Sequence, residues 1–151
     1  MSSFTTVAGQ APIAWGKGRD LSEIVALALR QARDVRGMLA GAVIPAMPPA
    51  RRSFADWLVR TLDHGKFFDE PTLRDIDAFL SLLQREIDVG TYVGWEPDEY
   101  HVRGGYERIE LDARASSLAP ALAALTKLRG SIATALDVAR ALSITQDIIS
   151  E

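Results

Sequence analysis

The chain has 151 residues, a formal net charge of −3 and no cysteine. That length suits one domain burying about two thirds of its unfolded surface, so folding needs neither a metal nor a disulfide. The missing thiols exclude disulfides, thiol nucleophiles and thiolate metal ligands. The most apolar stretch, residues 115–145, is interrupted by Lys127, Arg129, Asp137 and Arg140, too often for a membrane span.

The first residues hold neither an early positive charge nor a continuous apolar run, so no Sec-type signal is expected and the expected compartment is the cytoplasm. Arginine outnumbers lysine 14 to 3, a weak pointer to a GC-rich bacterial or phage genome. Charge is unevenly spread. Residues 1–60 carry eight basic and four acidic groups, residues 61–112 five and thirteen, and residues 113–151 four and three. A subunit polarised in this way attracts a charged partner or a copy of itself, unless the acidic groups only solvate one face.

In chain order, residues 1–18 show no period and read as a flexible arm, with residues 19–151 forming a single helical domain. Within the arm Phe4 and Trp15 are large apolar groups that need a docking site, on the chain's own core or on a neighbour. The spacing predicts a first helix from Asp20, capped by Asp20 and Glu23, with Leu21, Ile24, Ala28, Val35, Leu39 and Ala42 on its buried stripe. Pro45 is expected to end it, and the stretch from Ala46 to Arg52 to form a rigid extended connector. A short helix follows from about Phe54 to His64, capped by Ser53, with Phe54, Trp57, Leu58 and Leu62 inward and Gly65 as its left-handed terminator. Phe67 and Phe68 then plug the core.

A third helix is predicted from Pro71 to Asp88, with Leu73, Ile76, Leu80, Leu83 and Ile87 on one face and Asp75, Asp77 and Glu86 on an acidic outer face. Residues 91–111 break the helical period and contain all three tyrosines, Trp95 and His101. Their alternation around Gly104 and Gly105 reads as a two-residue β-hairpin, pairing His101 with Arg108, Tyr100 with Ile109 and Glu99 with Glu110; an irregular loop is the alternative. The last helix covers about Ala115 to Ser150 and begins no earlier than Leu118 if Pro120 must lie in its first turn. Leu118, Leu125 and Ile132 share one heptad position, Ala121, Leu128 and Ala135 another. So apolar a helix is either central in its own bundle or shared with another chain. The expected fold is mainly α, a bundle of about four helices with a small hairpin or irregular insertion at 91–111 and an extended N-terminal arm.

The phosphate-binding, zincin, nucleophile-elbow and dinucleotide motifs are absent from the sequence. One constellation has a shape suited to acid–base work: His101 beside Glu99, with Arg108 to clamp an anion, and Asp98, Arg103 and Glu110 nearby. It is equally a polar hairpin surface held by cross-strand charge pairs. No metal or other cofactor is expected, and an acidic chain without a recognised binding motif does not suggest nucleic acid. The preferred expectation is a non-enzymatic interaction or assembly subunit, bacterial or phage. It contacts a protein partner or a second copy of itself through Phe4, Trp15, Trp95, Tyr100 and Tyr106, and through its C-terminal helix if that helix is shared. The alternative is a small α-helical enzyme or ligand-binding regulator with its site at His101, Glu99 and Arg108.

Overall fold

The structure is a computed structural model that describes residues 14–97 and 105–150. The element order is α1 (Ala14–Met38), a π-helical turn (Leu39–Val43), α2 (Ile44–Ala46), α3 (Pro49–His64), α4 (Glu70–Val89), β1 (Thr91–Pro97), β2 (Gly105–Leu111) and α5 (Ala113–Ser150). Among the described residues the fold is mainly helical, with four long helices and one two-stranded antiparallel ribbon.

α1 begins six residues before Asp20, so Asp20 does not cap it; no proline interrupts Ala14–Arg19, and the helix continues back through Gly16 and Gly18. Nor does the helix stop at Pro45. The backbone widens into the π turn, where the Ile44 N–H donates to the Leu39 carbonyl, and α2 carries the rod past the proline to Ala46. The wide turn also explains which side chains are buried. Ala28, Ala32, Val35, Leu39, Val43 and Met47 all face the core. A stripe advancing by four residues at each of its last steps stays on one face when a π turn takes up the extra residue. The extended connector is shorter than expected: only Met47 and Pro48 are extended, each preceding a proline, and α3 starts at Pro49. Ser53 is therefore a helix-interior residue rather than a cap. Gly65, at φ 72°, does terminate α3 in the left-handed region.

α4 is opened by Asp69, whose carboxylate accepts from the Thr72 N–H at 2.8 Å. The hydrogen bonding from Thr72 holds the Asp69 carboxyl below its ordinary pKa. The stability this cap contributes is thus present above the usual carboxylate range and is lost as the pH falls through the lowered value. α5 begins at Ala113 and passes straight through Pro120. Asp112 accepts from the Ala115 N–H at 2.7 Å and fixes the first turn. Ala115 and Leu118 are fully buried, while Pro120 points its ring to the exposed side. With the ring on the solvent face nothing in the core opposes it, so the helix need not start later.

Side-chain contacts show that successive long helices alternate in direction. Ser131 donates to Gln31 at 2.6 Å and Arg114 Nε to the Ala46 carbonyl at 2.8 Å, which sets α5 antiparallel to α1. Arg140 with Glu70, Arg129 with Asp77 and Arg114 with Glu86 set α5 antiparallel to α4. Phe54 meets Phe79 edge-on at 5.1 Å between α3 and α4. Phe67 is fully buried and stacks on half-buried Phe68, plugging the α3–α4 corner. α5 is central to the bundle: Leu118, Leu125, Leu128 and Ile132 have no exposed surface.

Glu86 is not on an outer acidic face. It is 8 % exposed and accepts from both Arg51 and Arg114, while Arg114 also reaches the Ala46 carbonyl and Arg52 Nε the Met47 carbonyl. This node joins α2, α3, α4 and α5 at one end of the bundle. Replacing Glu86 by Gln leaves two guanidinium groups facing each other without a counter-charge. A loss of about 2 kcal/mol in urea unfolding is expected, discounted for the partial exposure of both arginines. Arg114→Ala should cost more than Arg51→Ala, because Arg114 also satisfies a helix-end carbonyl; equal costs would contradict this account of the node.

Candidate interaction surface

The node stands at the end of the bundle from which the ribbon emerges. β1 leaves α4 through Gly90 and β2 enters α5 through Asp112, so the antiparallel ends of two long helices hold the two strands side by side. Asp112 N–H donates to the Gly90 carbonyl at 2.8 Å, and Thr91 Oγ1 to the Ile87 carbonyl at 2.8 Å. The approach is too close for a side chain at Gly90: a Cβ there would lie 2.7 Å from the Ala115 Cβ and closer still to the Asp112 carboxylate that caps α5.

The register pairs Thr91 with Leu111, Tyr92 with Glu110, Val93 with Ile109, Gly94 with Arg108, Trp95 with Glu107, Glu96 with Tyr106 and Pro97 with Gly105. The expected pairing is therefore wrong. Gly105 is a strand residue rather than half of a two-residue turn, and Arg108, Ile109 and Glu110 pair seven residues earlier in the chain than predicted. The β-favouring run Thr91-Tyr92-Val93 and Trp95 supplies the first strand, in place of the polar stretch beside Gly104. His101, Glu99, Asp98, Tyr100, Arg103 and Gly104 lie outside the described residues, as does Phe4. Trp15 lies in the first turn of α1, and Tyr106 stands in β2 opposite Glu96.

Because cross-strand partners share a face, the register sorts the ribbon into two unlike sides. One side carries Val93, Ile109, Trp95 and Leu111, with Thr91 and Glu107 at its ends. These apolar groups are uncovered: Ile109 is 70 % exposed, Trp95 61 %, Val93 59 % and Leu111 39 %. Val89, the last residue of α4, is exposed beside the root. The other side carries Tyr92, Gly94, Arg108 and Glu110. Arg108 Nη2 lies 3.1 Å from the Glu110 carboxylate, which lies over Gly94 and accepts the Tyr92 phenol. Gly94 makes room for that carboxylate, since a Cβ would come within 2.6 Å of it. Apart from its root at α5, each strand packs chiefly against the other.

Trp95, expected from the sequence to be a contact residue, stands exposed in β1. Val93 does not join Ile109 and Leu111 in the expected pairing, because that register sets Tyr100 opposite Ile109 where the structure has Val93. Arg108 and Glu110 form a charge pair on the side of the ribbon opposite Trp95. The hollow lined by Thr61, His64 and Lys66 at the end of α3 is open, with His64 and Lys66 exposed. Among the described residues no group of three or more His, Asp and Glu is placed to hold a metal ion, and no helix is long and apolar enough to cross a membrane.

Fold and surface together define an α-helical bundle bearing an exposed, two-faced β-ribbon. No protein-family model, no curated protein and no solved structure matches the chain.

The Tyr92–Glu110 contact raises the Tyr92 pKa above its ordinary value, chiefly through the hydrogen bond and then through the carboxylate's charge. The folded ribbon therefore favours the neutral phenol. Its contribution is intact below the usual tyrosine pKa of about 10 and is lost as the pH rises through the elevated value. Phenolate absorbance, taken as the difference between wild type and Tyr92→Phe, should show Tyr92 ionising above the ordinary value, and Glu110→Gln should bring it back down. Ordinary ionisation in the unmodified chain would contradict the contact.

Proposed function

We propose that this chain is a non-enzymatic interaction or assembly subunit whose contact surface is the apolar side of the ribbon. One observation carries the reading: Val93, Trp95, Ile109 and Leu111 form a contiguous apolar face that the chain's own helices leave uncovered. Their exposed area is on the order of 500 Å² with Val89 included, the scale at which an apolar patch on a soluble protein marks a binding site. Tryptophan is among the residues that dominate interface energetics, and here it stands in a paired strand rather than a loop. A bacterial or phage assembly fits a small subunit of this design.

The test is affinity capture from source cells with wild-type chain and with a Trp95→Ser, Ile109→Asp double variant whose helical circular dichroism and unfolding midpoint are first shown to be intact. Specific partners or copies captured by the wild type should be lost, with affinity reduced tenfold or more. An unchanged set of bound proteins would remove the ribbon as the contact surface.

A further inference from the structure

The reading of the ribbon as a contact surface leaves open what covers it. Resting on that reading, we propose that the apolar side of the ribbon packs against the same side of a second copy of this chain, in an isologous two-fold contact.

The face is suited to itself. Its middle is the Val93–Ile109 pair, its outer end carries Trp95 and its root Leu111. A two-fold axis through the Val93–Ile109 pair sets the Trp95 end of one ribbon over the Leu111 end of the other, so the largest side chain meets the less protruding end. Glu107 is the one charged residue on this side and falls at the rim, beside Trp95. Arg108 and Glu110 point to the opposite side, where they stay solvated.

Area supports the same occupant. Complete burial of this face together with Val89, about 500 Å² from each copy, gives at most a total near 1,000 Å², the lower bound for a specific interface and the range of weak, reversible ones. A lone hairpin with one uncovered apolar face is marginal in water; two stacked ribbons form a minimal two-layer β core that removes this deficit in both copies at once. A bilayer surface is the poorer occupant. The two strands hold Glu96, Glu107 and Glu110 against Arg108 alone, and an acidic ribbon is repelled by anionic headgroups. The same charges give the self-contact a signature. Two like-charged ribbons repel at long range, so added salt should strengthen the pair, whereas it would weaken a contact with a basic partner.

The chain has no cysteine, so a single introduced thiol reports on one position only. The experiment is sedimentation velocity of the full chain from micromolar to near-millimolar concentration at low and moderate salt, with mild oxidation of Ile109→Cys and Arg108→Cys variants. Expected are a concentration-dependent dimer with a Kd on the order of 10–100 µM, tightening with salt, and loosened tenfold or more by Trp95→Ser. Ile109→Cys should form a disulfide-linked dimer, and Arg108→Cys, on the opposite side, should not. Equal cross-linking of the two variants, or a dimer indifferent to Trp95→Ser, overturns the face-to-face contact. A monomer throughout the series also overturns it. In that monomer, an Ile109→Cys thiol shielded from reagent until residues 1–13 are removed assigns the face to the chain's own N-terminus. A thiol that reacts at once leaves the face to a foreign protein, so that the contact-surface reading stands while self-pairing falls.

Discussion

The fold depends on burying one face of α5. Leu118, Leu125, Leu128 and Ile132 lie wholly inside, interleaved with Ala115, Ala121 and Ala135. Leucines supply apolar area; alanines let the neighbouring helices approach. α1 and α4 cover this face from two sides, and both run antiparallel to α5. That arrangement has a consequence beyond the core. If α4 and α5 are antiparallel neighbours, the end of one and the start of the other meet at one end of the bundle. Whatever chain lies between Val89 and Ala113 is then forced to leave and return at adjacent points, and a two-stranded ribbon is the simplest backbone that does so with its hydrogen bonds satisfied.

The ribbon root is correspondingly over-determined. Gly90 accepts from Asp112, Asp112 caps α5, and the Arg51–Glu86–Arg114 node ties the same end of the bundle to α2 and α3. A rigid base carries a ribbon with little packing of its own. The molecule thus separates two tasks that most small domains combine: the helices hold the stability, and the strands present side chains. On the apolar side of the strands Val93, Trp95, Ile109 and Leu111 lie together in water, and the functional reading follows from that grouping.

Much of this architecture was legible from residue patterns. The α4 stripe of Leu73, Ile76, Leu83 and Ile87, the Gly65 terminator and the buried heptad positions of α5 follow from side-chain periodicity and from glycine's tolerance of positive φ. Helix boundaries were less legible, because local capping signals compete with tertiary burial. Asp20–Glu23 and Ser53–Asp56 have the spacing of caps, yet α1 and α3 both begin earlier; Asp112, whose cap is used, falls between the 91–111 stretch and the helix expected from Ala115. Prolines were over-read as stops. Pro45 follows a π turn that realigns the stripe, and Pro120 sits on an exposed side where its ring clashes with nothing in the core. The candidate surface was half legible. Trp95 stood out by type, but the face it belongs to depends on strand register, and an odd-numbered slip exchanges every cross-strand partner for one on the other side. Glu86 was misread for a related reason: composition marks a glutamate as solvent-facing, and only the arrival of Arg51 and Arg114 from two other helices makes its burial tolerable.

The central claim is that the apolar side of the ribbon serves contact and not folding. The most direct test is the free energy of unfolding, at dilute concentration, of a variant carrying Val93→Ser and Ile109→Ser, compared with wild type. With those side chains already in water, the two proteins should agree to within about 0.5 kcal/mol, as surface substitutions do. A loss of about 2–5 kcal/mol, the range of a large-to-small substitution in a core, would show that the bundle buries this face and would contradict the account.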